Sequence, residues 1–120
     1  MIEQVVRLTV SLTVNEGQLD AFKSIANTLT EISKGEAGTV GYEWLSSGDE
    51  KRFRLVETYV DVAAVEAHFA GPAVTEWVPK LVEVCSVDGF EFYGDPGAKV
   101  RATAGGLGAD FFDYWIGLGR

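Results

Sequence analysis

His68 is the single histidine in 120 residues and Cys85 the single cysteine, so acid–base chemistry near neutral pH falls first to His68. Glu57 lies at alternate spacing with Phe53, Leu55 and Tyr59. A carboxylate on such an apolar strand face needs a cation or a proton, and its pKa is expected to rise without one. Arg54 and Arg7 are the candidate cations, for Glu57 or for a substrate anion. Tyr42, Trp44, Tyr59 and Trp77 offer flat walls for an aromatic ligand, with O–H and N–H donors. A base, a carboxylate, hydrogen-bond donors and a dry aromatic pocket would together suit removal of a proton from a bound ligand. Plainer roles stand beside these. His68, next to Ala64 and Val65, would serve equally as a hydrogen-bond link across a sheet edge, Glu57 as an acceptor holding the helix after Asp61, and the aromatic groups as core. One His and one Cys would leave carboxylates to supply most ligands of a zinc site, so no metal is assigned.

The elements that must position these groups follow from periodicity. Val6, Leu8, Val10, Leu12 and Val14 alternate with Arg7, Thr9, Ser11 and Thr13, which predicts a strand over 5–14 with one apolar and one polar face. Asn15 and Gln18 have the spacing of a capping box. A helix is expected next, with Leu19, Phe22, Ile25, Ala26, Leu29 and Ile32 on its buried stripe and Gly35 as its stop. Strands over 39–46 and 52–60 flank the turn residues Ser47-Gly48-Asp49-Glu50 and form a hairpin. Asp61 is placed to cap a short helix that ends at Gly71-Pro72, and a further helical stretch over 73–82 must break or kink at Pro79. A last strand over 84–93 carries a bulge or turn at Asp88-Gly89.

The order βαββαβ predicts an α+β, ferredoxin-like domain over residues 1–94: a four-stranded antiparallel sheet with helices on one face. Large apolar groups read on both faces of the middle hairpin, so the second face needs a cover. A homodimer that packs two sheets into a dimeric α/β barrel provides one. The alternative is a monomer whose C-terminal segment folds back over the sheet. The row Arg7, Thr9, Ser11, Thr13 then suggests a barrel interior with small polar groups and space for a ligand, which places Arg7, Thr9 and Ser11 among the candidate binding residues.

Residues 95–120 change in character. Asp95 to Lys99 and Ala104 to Gly108 read as a Gly-rich linker, whereas Phe111, Phe112, Tyr114, Trp115, Ile116 and Leu118 are too apolar for a free tail and are expected to dock on their own subunit, on a partner or over a pocket mouth.

A formal net charge of −8 leaves no broad positive surface for a nucleic-acid backbone or anionic lipid. No apolar run approaches the roughly 20 residues of a membrane span, and Met1-Ile2-Glu3-Gln4 lacks the basic start of a secretion signal. A soluble, cytoplasmic protein with neither nucleic-acid nor membrane partners is expected.

Two segments resemble the antibiotic biosynthesis monooxygenase group of dimeric α/β barrels. Glu36-Ala37-Gly38-Thr39-Val40-Gly41-Tyr42-Glu43 is similar to that group's E-x-G-x-x-x-Y-E hairpin entry. Phe53 to Asp61, followed by Ala64 and His68, resembles its F-x-L-x-E-x-[WY]-x-D strand and A-x-x-x-H helix. The resemblance spans about residues 5–93 and leaves the tail outside. It implies oxidation of quinols, anthrones and related phenolic rings by dioxygen without metal or flavin, with no cofactor. Haem-degrading relatives use a first-strand Asn, and here Asn15 lies beyond that strand. The leading expectation is a cofactor-free monooxygenase of a small aromatic, quinol-type ligand with His68 and Glu57 as catalytic groups. A non-catalytic dimeric barrel holding a small apolar ligand and a haem-binding relative are the alternatives.

Overall fold

A computed structural model of the chain describes residues 5–118; the Met1 to Gln4 segment lies outside them. The elements run β1 (Val6–Val14), α1 (Leu19–Lys34), β2 (Thr39–Ser46), β3 (Arg52–Tyr59), α2 (Val62–Ala70), a π-helical turn (Ala73–Trp77), α3 (Val78–Leu81), β4 (Cys85–Tyr93), α4 (Ala98–Gly106) and β5 (Asp110–Phe112). The α+β, ferredoxin-like order is the expected one. The sheet is larger than expected, with order β2-β3-β1-β4-β5. Its first four strands are antiparallel, while β5 adds a parallel edge against β4.

Period-two alternation sorts the sheet into two unlike faces. Leu8, Val10 and Leu12 lie opposite Glu57, Leu55 and Phe53, and the helices cover this inner face. Arg7, Thr9, Ser11 and Thr13 therefore project to the outer face, opposite Thr58, Val56, Arg54 and Arg52. The hydroxyl-rich row lines no chamber beneath the helices. It cannot, because its apolar neighbours occupy that side. The aromatic side chains of the hairpin are likewise concentrated inside. Leu45 and Val60 remain exposed.

Helix α1 buries Phe22, Ala26, Leu29 and Ser33 at spacings of four, three and four. The capping box is not made: Gln18 forms no side-chain cap. Asn15 instead donates from Nδ2 to the Glu83 carbonyl (3.3 Å) and from its N–H to the Val84 carbonyl, fastening the end of β1 to the start of β4. At α2 the expected cap is present, with Asp61 Oδ1 accepting from the Ala64 N–H at 2.9 Å. Pro79 falls in the first turn of α3, where a missing N–H leaves no intrahelical bond unmade. Asp88 is the extra residue of a bulge, since Ser11 faces Gly89 while Leu12 faces Val87.

The segment read as a linker is partly α4. Val100 and Ala104 are buried there, in the same cluster as Val6, Leu8, Tyr59, Val65 and Phe92. Gly97, at φ +87, permits the entry into this helix. In β5, Phe111 stacks on Phe92 at 5.3 Å and the Arg101 guanidinium lies over its ring. Phe112 turns to the outer face beside Tyr93, and the Tyr114 hydroxyl accepts from Arg7 Nη1 at 2.8 Å. Trp115, Ile116 and Leu118 stay exposed, Trp115 at 93%. Among the described residues no helix is long and apolar enough to cross a membrane.

Candidate functional site

Between the inner face and the helices lies a cavity of about 520 Å³. Leu8, Val10, Leu12 and Leu55 form its floor, while Phe69, Val74, Val78 and Leu81 come from the helical side. Among the described residues its polar wall groups are Tyr42, Glu57 and His68, all at one end: Tyr42 faces Glu57 across the β2–β3 pair, and His68 Nε2 is 3.6 Å from Glu57 Oε1.

His68 is fixed from both sides. Its Nδ1 lies 2.7 Å from Glu36 Oε1, and its ring sits 5.3 Å from that of Tyr59. With Glu36 ionised, Nδ1 carries the proton and donates it, so the Nε2 lone pair is turned toward Glu57 and the cavity. Glu36 also accepts from Thr39 Oγ1 at 2.8 Å, which holds the carboxylate at the entry to β2. A short-range fit sets this alignment. Gly38 passes so close to α2 that a Cβ there would overlap the Cβ of Ala64. The small residues of the two motifs thus meet each other, and their meeting brings Glu36 to His68.

Glu57 is buried, and its Oε1 accepts the Tyr59 hydroxyl. Loss of hydration raises its pKa above the ordinary carboxylate value, an effect that His68 and the Tyr59 hydrogen bond partly offset. Burial and the Glu57 charge push both Tyr42 and Tyr59 far above the ordinary phenol value. Both therefore remain neutral. Tyr42 lines the cavity with its hydroxyl beside the Ser33 side chain, while that of Tyr59 is committed to Glu57.

The other candidate residues lie elsewhere. Arg7, Thr9, Ser11 and Arg54 are on the outer face, and Arg54 donates to the Phe53 carbonyl rather than pairing with Glu57. Trp44 packs edge-to-face on Phe22 and donates from Nε1 to Thr30 Oγ1 at 2.9 Å, away from the cavity. Trp77 lies under the Lys80 ammonium, and Tyr59 stands behind Glu57. Of the aromatic set, Tyr42 alone lines the cavity, joined by Phe69 and Phe90, which were not among the candidate residues. Cys85 is buried with its thiol pushed up to about 11, so it is inert as a nucleophile. Among the described residues no three His, Cys, Asp or Glu side chains converge to hold a metal ion.

Sheet, helices and cavity define a ferredoxin-like α+β protein whose one polar cavity end is built around a histidine between two glutamates. The chain belongs to the antibiotic biosynthesis monooxygenase family, whose model matches residues 5–80. No curated protein matches it. Among solved structures it is similar to MupZ from Pseudomonas fluorescens, with 19% identity over 98% of this chain and 95% of that one and a TM-score of 0.83. SnoaB, a cofactor-independent oxygenase from Streptomyces nogalater, shares 16% identity over 79% of this chain and 96% of its own, with a TM-score of 0.68. A protein from Shewanella oneidensis is 28% identical over 75% of this chain and 87% of its own, with a TM-score of 0.63. The MupZ likeness extends over α4 and β5, which the family model leaves out.

Proposed function

We propose that the protein is a cofactor-independent monooxygenase that uses dioxygen to oxidise a ligand bearing a phenolic or enolic hydroxyl, the quinol type being the simplest. The observation that supports this most is the placement of Tyr42, Glu57 and His68 at one end of a cavity that is otherwise apolar. Dioxygen is a triplet and reacts slowly with closed-shell molecules, so the ligand itself must become the electron donor. His68 Nε2 takes the hydroxyl proton, and the resulting imidazolium is held beside the Glu36 carboxylate. The neutral Tyr42 hydroxyl donates to the anion left behind. Apolar walls exclude water from the electron-rich ring. One electron passes to dioxygen, superoxide and the ligand radical combine at a ring carbon, and the hydroperoxide loses water. One oxygen atom is retained as a carbonyl, the other leaves as water, and the ligand supplies all the electrons. For a phenol with a free para position the balance is phenol plus dioxygen to quinone plus water.

Oxygen uptake with a panel of hydroquinones, compared between the wild type and His68→Ala, tests the reading. The variant should lose about 10²- to 10⁴-fold, the worth of a positioned general base. Equal rates would remove His68 from the mechanism, and no uptake by the wild type on any member would favour a barrel that only binds its ligand.

The active assembly in this reading is a homodimer joined through the outer sheet face. That face carries Arg7, Arg52 and Arg54 together with Glu43 and Asp110, none of them in an ion pair among the described residues, and a two-fold axis can set such a mixed face against itself. Trp115, Ile116 and Leu118, which follow Tyr114 in the chain, are exposed. Light scattering at micromolar concentration should give twice the monomer mass; the monomer mass would exclude the dimer.

A further inference from the structure

The cavity is not shaped for a compact ring alone. Beyond Phe69 and Phe90 its walls are aliphatic, and the residues that line it farthest from the protein interior, Val82, Val87 and Leu107, are themselves exposed at 48%, 45% and 63%. They come from the end of α3, from β4 and from the α4–β5 connection, so three separate elements leave aliphatic groups uncovered around one opening. Exposed apolar residues scattered singly need no explanation, but three at the mouth of a greasy cavity extend its surface into solvent. A small quinol seated at Tyr42 and His68 would leave that length of wall unused.

We infer that the ligand carries a flexible aliphatic chain: its hydroxyl-bearing head sits among Tyr42, Glu57 and His68, and its chain runs along Leu12 and Leu81 to emerge between Val82, Val87 and Leu107. The ligand class is then an alkyl-bearing phenol, quinol or enol rather than a flat fused-ring system. The position of the head rests on the oxygenase reading above; the chain rests on the walls and rim alone. At about 520 Å³ the cavity has the volume of sites that enclose drug-sized molecules, which suits such a ligand.

The test is a binding ladder read by titration calorimetry on the full chain, with para-ethyl-, para-butyl-, para-hexyl- and para-octylphenol and with 1-naphthol as the compact flat comparison. Each added methylene buried against aliphatic wall should tighten binding about fourfold through the hexyl member. In the double variant Val82→Asp, Leu107→Asp, both positions being exposed, the octyl compound should lose about tenfold and the ethyl compound nothing. A ladder that is flat beyond ethyl, naphthol binding more tightly than hexylphenol, or equal losses for the ethyl and octyl compounds in the rim variant would each overturn the inference. Oxygen uptake is scored separately. A steep ladder with no uptake on any of the hydroquinones refutes the oxygenase reading and leaves the chain site standing, whereas uptake on them with a flat ladder does the reverse.

Discussion

Replacing Glu36 by Gln isolates what the carboxylate beside His68 contributes. Gln keeps the size of the side chain and an oxygen able to accept from Nδ1, so the 2.7 Å contact can persist while its charge is lost. Before Nε2 takes a proton the two contacts differ little. As Nε2 takes the substrate proton, positive charge grows on the ring and the bond to Glu36 becomes charge-assisted, worth about 1.5–3 kcal/mol against about 1 kcal/mol for the neutral bond. Glu36 is the half-buried member of the pair, at 22% side-chain exposure, and solvent screening favours the lower part of the difference, about 0.5–1 kcal/mol. That corresponds to about a two- to fivefold fall in kcat, with KM nearly unchanged because the contribution arises only in the transition state. Steady-state oxygen uptake on a hydroquinone that the wild type oxidises gives both constants, and a melting temperature near that of the wild type shows the fold is kept. A rise in KM at constant kcat would mean that Glu36 merely shapes the pocket, and no change in either constant would refute its role.

Three other perturbations probe the surroundings. A carboxyl whose folded pKa is raised from the ordinary 4.5 stabilises the fold below that pH and gives up the contribution as pH rises through the folded value, so Glu57→Gln should raise the melting temperature relative to wild type more at pH 8 than at pH 5; an equal shift at both would argue against the burial effect. Gly38→Ala places a methyl group on Ala64 and should cost about 1–3 kcal/mol in chemical denaturation, with a larger loss of activity than of stability if it also parts Glu36 from His68; wild-type stability would show that the approach is not tight. Val100→Ala should cost about 2 kcal/mol because Val100 is 2% exposed against the main core, and a change below about 0.5 kcal/mol would show α4 to be dispensable.

Much of the fold was legible because it depends on periodicity and turn chemistry. The alternation of β1, the stripe of α1, the Asp61 cap and the Asp88 bulge all lie where residue types alone place them. What was not legible depends on contacts between distant segments. The polar row Arg7, Thr9, Ser11 was read as lining the interior of a two-sheet barrel; it lies on the outer sheet face, apart from the cavity that packing leaves beneath the helices. Asn15 has a capping spacing, yet a loop nearly seventy residues away binds its side chain instead. The glycines of residues 94–108 resemble a linker in composition, but Val100 and Ala104 at four-residue spacing were the sign of a short buried helix. Within the site, His68, Glu57 and Tyr42 share the cavity, whereas Glu36 stood in a quoted motif without a role. Its position two residues before Gly38 was the available clue, since a glycine obliged to pass against a helix fixes where its neighbours point.

The three residues of β5 carry a consequence out of proportion to their number. A sheet that stopped at β4 would present the backbone of Glu91 to Tyr93 as an open hem, ready to recruit any extended chain. Asp110 to Phe112 stitch that hem, and Phe111 closes over Phe92 from the same stroke. The family pattern ends at residue 80, so this selvedge is woven from sequence outside the shared pattern. A shortened chain that keeps every residue of the His68 cluster would still leave the outer backbone of Glu91 to Tyr93 uncovered.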